Sequence, residues 1–249
     1  MPIHIRRDLA PLLAAALLLA GCASKEVDLA TVGPDDLYQR GMAAFRTGEH
    51  DQALRYLEYF VEAHFGDERV PRAQFTVGEA YRERREYLEA AAAFQRLVAS
   101  FPTHQLAPLA RLATCEAYVE LSPPPPLYQQ YTRTAITFCQ AVIANYPQTE
   151  WAESAAAKVS AMRERLALKS YQTGEHYLSR KAYDAAVIYF ERTVDEFPRT
   201  SSAPAALLRL VESYRELGYD EEAAETRERL LREYPESEEA GSLRGDDRS

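Results

Sequence analysis

Large apolar side chains return along this chain in a fixed order among polar positions, and the order itself repeats. Gly78, Glu79, Tyr81, Tyr87, Ala90, Phe94, Phe101 and Pro102 recur, each 96 positions on, as Gly174, Glu175, Tyr177, Tyr183, Ala186, Phe190, Phe197 and Pro198. Eight identities at one offset without a gap define a repeated unit, and self-similarity of this kind decides the fold before any local propensity does. The spacing inside the unit has a mechanical reason. Small residues at Gly78 and Ala90 let two helices approach closely, while Tyr81 and Phe94 fill the space between one hairpin and the next. The aromatic–proline pair stops the second helix, because proline cannot continue it and pushes the residue before it out of the helical region. Weaker copies run through Gly41, Ala53, Leu57 and Phe65, with Gly66 at the proline position; through Glu116, Tyr118, Ala135 and Tyr146-Pro147; and through Glu212, Tyr214, Ala223 and Tyr234-Pro235. The spacing predicts five helical hairpins, over about 35–70, 71–106, 107–150, 151–202 and 203–240.

The unit resembles the tetratricopeptide repeat, a helix–turn–helix of about 34 residues. An all-α solenoid is therefore expected over 35–240, and two irregularities shape it. The third copy holds eight extra residues between Tyr118 and Ala135, including Ser122 and the run Pro123 to Pro126, which predicts a stiff extended loop. Trp151, Ala155, Val159, Met162 and Leu166 continue one apolar face toward Tyr171, which predicts a single long helix over about 151–180, between the third and fourth repeats. The tail 241–249 has no apolar pattern and is expected to be disordered.

The N-terminus reads as a targeting segment rather than as part of the fold. Arg6 and Arg7 precede a short apolar run, Ala10 to Ala20, that is too short to span a bilayer. It ends Leu19-Ala20-Gly21-Cys22, which looks like a bacterial lipobox: residues 1–21 would be removed as a signal peptide and Cys22 lipidated. In that pattern Ala23 after the cysteine favours the outer membrane, and two or more acyl chains give stable anchoring where one does not. Residues 22–34 are then expected to be a lipidated start and a flexible polar tether, with the array on the periplasmic face.

Composition adds exclusions. The 249 residues are 47% hydrophobic and carry only 10 Gly against 16 Tyr, which suits an aromatic-packed helical protein. The formal net charge of -9, with no Lys/Arg-rich run, argues against nucleic acid as a partner. No nucleophile elbow, Gly-rich phosphate loop or paired-His metal motif is present, and His50, His64, His104 and His176 are scattered over different repeats. No enzyme activity, cofactor or metal is therefore expected. Cys115 and Cys139 fall on the two helices of the third repeat, at the positions of Gly78 and Phe94. Two separate small buried side chains are the favoured reading; a disulfide is the alternative, and it needs Cα atoms within about 7 Å.

One further pattern points to a binding surface. Glu79, Glu116, Glu175 and Glu212 share a register two residues before the repeat tyrosine, and Glu83, Glu120 and Glu216 follow one turn later. Tyr38, Phe45, Arg46, Phe75, Arg82, Tyr171 and Arg215 fall on the same first-helix face. Either this face lines a groove that receives a partner segment, or it is a solvated helix face on which Arg82 and Arg215 pair locally with glutamates.

Taken together, the lipobox, the tether, five hairpins opening with Tyr38-Gln39-Arg40-Gly41, the loop in the third and the long helix after it resemble the BamD family, the lipoprotein subunits of the outer-membrane β-barrel assembly machinery. The segments Tyr183-Asp184-Ala185-Ala186-Val187-Ile188-Tyr189-Phe190, Phe197-Pro198, Val211-Glu212-Ser213-Tyr214 and Leu217-Gly218 are similar to that family's C-terminal repeats. Gly66 and the short proline run depart from its pattern. The resemblance implies a scaffold with two partners besides the outer-membrane lipid reached through Cys22. Unfolded outer-membrane β-barrel clients would be received by the N-terminal repeats, around Tyr38, Arg46, Phe75, Glu79 and Arg82. The barrel subunit BamA would be bound through its POTRA region by the C-terminal repeats, around Tyr189, Glu212 and Arg215. Another envelope lipoprotein of the same repeats, such as a cell-division coordinator, a pilus pilotin or a secretion accessory, is the alternative.

Overall fold

The computed structural model describes residues 27–246, and over them the chain is helical throughout. After a 3-10 turn at Leu29–Thr31 come α1 (Pro34–Arg46), α2 (His50–Ala63), α3 (Val70–Glu83), α4 (Tyr87–Ser100), α5 (Ala107–Leu121), α6 (Gln130–Asn145), α7 (Glu150–Leu178), α8 (Tyr183–Glu196), α9 (Ser202–Leu217), α10 (Asp220–Glu233) and α11 (Glu238–Asp246). Each helix packs on the next in sequence, and every second one also meets its counterpart along the inner row, α1 on α3, α5 on α7 and α7 on α9. This is the expected tetratricopeptide solenoid of five hairpins. The 29-residue α7 completes the third repeat with its first half and opens the fourth with its second.

Local chemistry accounts for the helix ends. Pro34, Pro71 and Pro108 sit in the first turns of α1, α3 and α5, where a missing N–H costs nothing. At the other end, Phe101, Tyr146, Phe197 and Tyr234 cap α4, α6, α8 and α10 with φ between -130 and -134 and ψ between 50 and 60, outside the helical region that a following proline disfavours. In the first repeat His64 takes that cap at φ -127, so Phe65, rather than Gly66, stands where the other repeats place proline. The register read from the sequence was one residue late there. Phe65 remains exposed and stacks on Phe101 of the next repeat at 5.6 Å.

Inside the hairpins, Gly78 and Gly174 are cups for the rings opposite. A Cβ on either would fall 2.5 Å from Phe94 or Phe190, both fully buried. The turn between the two helices uses a left-handed residue at one repeated position: Gly48, Arg85, Lys181 and Gly218. The repeat tyrosine has two solutions, one reaching the preceding hairpin and one within its own. Tyr81 and Tyr214 donate to Glu58 and Glu191 of the preceding helix at 2.6 and 2.7 Å. Tyr118 and Tyr177 stack instead on Phe138 and Tyr189, at 5.0 and 5.4 Å. Burial and then the carboxylate push the Tyr81 hydroxyl up to about 12, and the same causes raise Tyr214.

The third hairpin departs from this scheme. Its Gly and Phe positions are held by Cys115 and Cys139, both fully buried and joined in a disulfide with Cα atoms 4.9 Å apart. The expectation of two separate thiols is thus corrected: with no ring to accommodate, the helices come close enough for the sulfurs to bond. The loop Ser122–Gln129 replaces the tight turn. Prolines offer carbonyls without N–H groups, and side chains satisfy them. The buried Gln129 amide faces the carbonyls of Pro123, Pro124, Pro125 and Leu127 at 2.8–3.4 Å, Arg165 donates to Ser122 at 2.5 Å, and Lys169 donates to Leu127 at 2.6 Å.

Two expectations about the ends also change. Residues 27–33 are not a free tether, because Leu29 and Val32 pack on the first core cluster and Arg55 donates to the Val27 carbonyl at 2.8 Å. Residues 241–246 are not a disordered tail: they continue α11, whose Ala240 and Leu243 are buried against Leu207 and Leu230 and close the end of the core. Cys22 and the targeting segment lie outside the described residues.

Candidate functional site

The first helices of the repeats place their register glutamates side by side. Arg82 donates to Glu79 on α3 and lies 4.0 Å from both Glu83 and Glu116. Glu116 of α5 accepts an ion pair from Lys158 of α7 at 3.1 Å. A chain of alternating charge therefore crosses three inner helices, Glu79–Arg82–Glu116–Lys158. Arg82, Glu116 and Lys158 of this chain line an open cleft of about 470 Å³, together with Glu83, Tyr87, Val119 and Glu120, and Glu79 holds Arg82 from behind it. Burial pushes the Glu79 carboxyl above its ordinary range, against the pull of Arg82. Three carboxylates face two cations here, so the cleft keeps an acidic surplus beside an aromatic and an aliphatic wall. Such a surface can hold a polypeptide by hydrogen bonds and charge, and nothing in it is arranged as a nucleophile with a base.

A second network sits in the C-terminal repeats, around a residue that the sequence reading passed over. Arg209 of α9 contacts Glu175 of α7 at 2.9 Å and Glu212 at 2.8 Å, and bonds to the Tyr171 hydroxyl. The sequence does hold a signal for it: Arg209 lies one turn before Glu212, on the inner helix next to the one that carries Glu175. Register with Arg82 points to Arg215 in its place, and Arg215 is exposed further along the same helix.

The other expected residues divide between surface and packing. Tyr38 packs on Phe60 at 5.5 Å and lies under the Arg69 guanidinium at 5.1 Å. Arg69 is itself locked by Asp67 and Asp35, and its hydrogen bonds hold the Asp67 carboxyl down to about 2. Phe75 lies against Phe94 at 5.3 Å, one turn before Glu79 on α3. Arg46 is exposed at the end of α1. Tyr189 is held between Tyr177 and Arg192 on the outer helix α8, whereas Glu212 and Arg215 belong to the inner helix α9. The structure thus joins Glu79 to Arg82, and Glu212 to Glu175 through Arg209. Among the described residues no contact links Tyr38 or Arg46 to the Glu79 cleft. The described residues contain no group of three or more His, Cys, Asp or Glu placed to hold a metal, and no helix long and apolar enough to cross a membrane.

A stack of helical hairpins with charged clefts along its inner helices defines a tetratricopeptide-repeat protein. A TPR repeats protein from Bacteroides fragilis shares this fold with a TM-score of 0.50, at 13% identity over 87% of this chain and 98% of that one. Residues 31–231 match the YfiO family, described as outer membrane lipoprotein, and the chain belongs to that family. Curated relatives include the outer membrane protein assembly factors BamD of Caulobacter vibrioides, 29% identical over 84% of this chain and 70% of that protein, and of Rickettsia prowazekii, 28% identical over 94% of both.

Proposed function

We propose that this chain is a scaffold of outer-membrane β-barrel assembly, fastened to the periplasmic face of the outer membrane through lipid on Cys22. The observation that carries this reading is the similarity to BamD assembly factors across 84–94% of the chain, within a family of outer membrane lipoproteins. The lipobox ending at Cys22 supports the anchor. In this reading the Glu79–Arg82–Glu116–Lys158 cleft receives the unfolded barrel clients, helped by Phe75 and by the neighbouring surface of Tyr38 and Arg46. The C-terminal repeats dock on the POTRA region of BamA through Glu212 and Arg215, with Tyr189 keeping α8 in place behind them. Selectivity comes from side-chain contacts along a rigid surface, which suits clients of differing sequence. No catalytic residue, cofactor or nucleic acid enters the proposal.

Co-purification of the mature protein from detergent-solubilised envelope tests it, with depletion as the second arm. Recovery of a POTRA-bearing barrel protein, and joint loss of several unrelated barrels on depletion, are the expected results. Recovery of division, pilus or secretion proteins in its place would overturn the assembly role and favour another envelope lipoprotein of the same fold.

A further inference from the structure

A second groove runs on another face of α5, between the outer helices α4 and α6, and its chemistry differs from that of its neighbours. In the second repeat Gln74 bridges the hairpin by donating to the Ala93 carbonyl at 3.1 Å, and in the fourth Ser170 does the same to Tyr189 at 3.0 Å. Arg111 holds that position in the third repeat. It makes no such bond: its Nε is buried with no hydrogen-bond partner, and among the described residues the guanidinium has no ion pair. Arg82 also has a buried, unbonded Nε, but its guanidinium lies among three carboxylates.

The grooves between the first two and the last two repeats supply carboxylates, and this one does not. Between the first two repeats stand Glu58, Glu62 and Arg96; between the last two stand Glu191, Asp195 and Arg229, with Arg229 paired to Asp195 at 3.4 Å. Here the same positions are Gln95, Ala99 and Ala141. The groove between the third and fourth repeats has Gln140 and Ala144 at the carboxylate positions, but its Arg192 lies 3.9 Å from Glu196 of its own helix, whereas Arg111 has no such partner among the described residues. Arg111 is the one charged side chain lining a groove of about 530 Å³ whose other walls are uncharged, mostly apolar with Val98, Ala99, Phe138 and Ala141, and polar at Gln95 and Thr114. A cation without a counter-charge in apolar surroundings is complementary to a carboxylate delivered with apolar surface. An Asp or Glu flanked by an apolar side chain supplies both features at once, which makes a polypeptide the source of that carboxylate.

We infer that this α4–α6 groove docks a partner polypeptide that sets an Asp or Glu against Arg111 beside an apolar side chain. The site is separate from the proposed client cleft and goes beyond that reading. In cells making the full-length lipoprotein, a photoreactive benzophenone residue is placed at Val98 or Ala141, and adducts are mapped by mass spectrometry. The expected adduct is to a polypeptide segment with an acid within four residues of the linked position. Arg111→Glu should lower it at least tenfold, and reversing that acid to arginine should restore it, while adducts from the same probe placed at Glu83 stay unchanged. Arg111→Gln is the folding control. Glutamine can reach the Phe138 carbonyl as Gln74 reaches Ala93, so Tm should rise by about 2–4 °C, the shift expected of one added hydrogen bond in a chain of this size. Adducts that persist in Arg111→Glu, adducts to lipid only, or no adduct from either position would overturn the inference.

Discussion

The second and third hairpins are built on one register and held together by different means. In the second, a glycine takes the ring of Phe94, Arg85 makes a tight left-handed turn, and Gln74 ties the two helices by a hydrogen bond. In the third, Cys115 and Cys139 make a covalent tie, a proline loop replaces the turn, and Arg111 ties nothing. The difference teaches that a repeat position fixes where a side chain lies, while the requirement it meets can be met by packing, by a hydrogen bond or by a covalent bond. Where the covalent bond takes over, positions that elsewhere secure the hairpin become free for a partner.

The comparison can be broken most sharply at the disulfide. Replacing Cys115 and Cys139 together by Ala should cost about 3–4 kcal/mol, from the chain entropy regained when a cross-link spanning 24 residues is lost. The cost should show as a lower Tm for the variant, and a reductant should then no longer shift it. Next, Gly78→Ala should cost about 2 kcal/mol, because the new methyl meets a buried ring that has nowhere to go. Thermal denaturation checks this, and the same change at the exposed Gly66 should leave Tm nearly unmoved. Gln129→Ala should cost about 1–2 kcal/mol by stranding the proline-loop carbonyls. It should also raise amide exchange at Leu127 and Tyr128, with little change in the second hairpin. The smallest effect has the opposite sign. Arg85→Gly should stabilise by about 0.5 kcal/mol, the relief of a left-handed arginine less the added freedom of glycine when unfolded.

Much of this was legible in the residues, because repetition averages over local noise. The offset linking Gly78 to Gly174 identified the hairpins, and the apolar face from Trp151 to Leu166 identified α7 nearly to its ends. What the sequence hid depended on distance or on single contacts. Nothing in the spacing of Cys115 and Cys139 says that their helices approach within bonding range. Gly66 was given the proline position because Phe65 looked like the aromatic before it, whereas His64 takes the cap. The tail looked polar because Leu243 alone carries its burial. Of the inner cleft, Glu79 and Arg82 were readable from register. Lys158 was not, since it arrives from a neighbouring helix that no periodicity connects to them.

The packed stretch from Val27 to Gly33 has a mechanical consequence. A pull on the chain ahead of Val27 passes straight into α2 through the Arg55 bond and into the first core cluster through Leu29 and Val32. The first hairpin therefore turns as one piece with its own entry segment instead of swivelling about it.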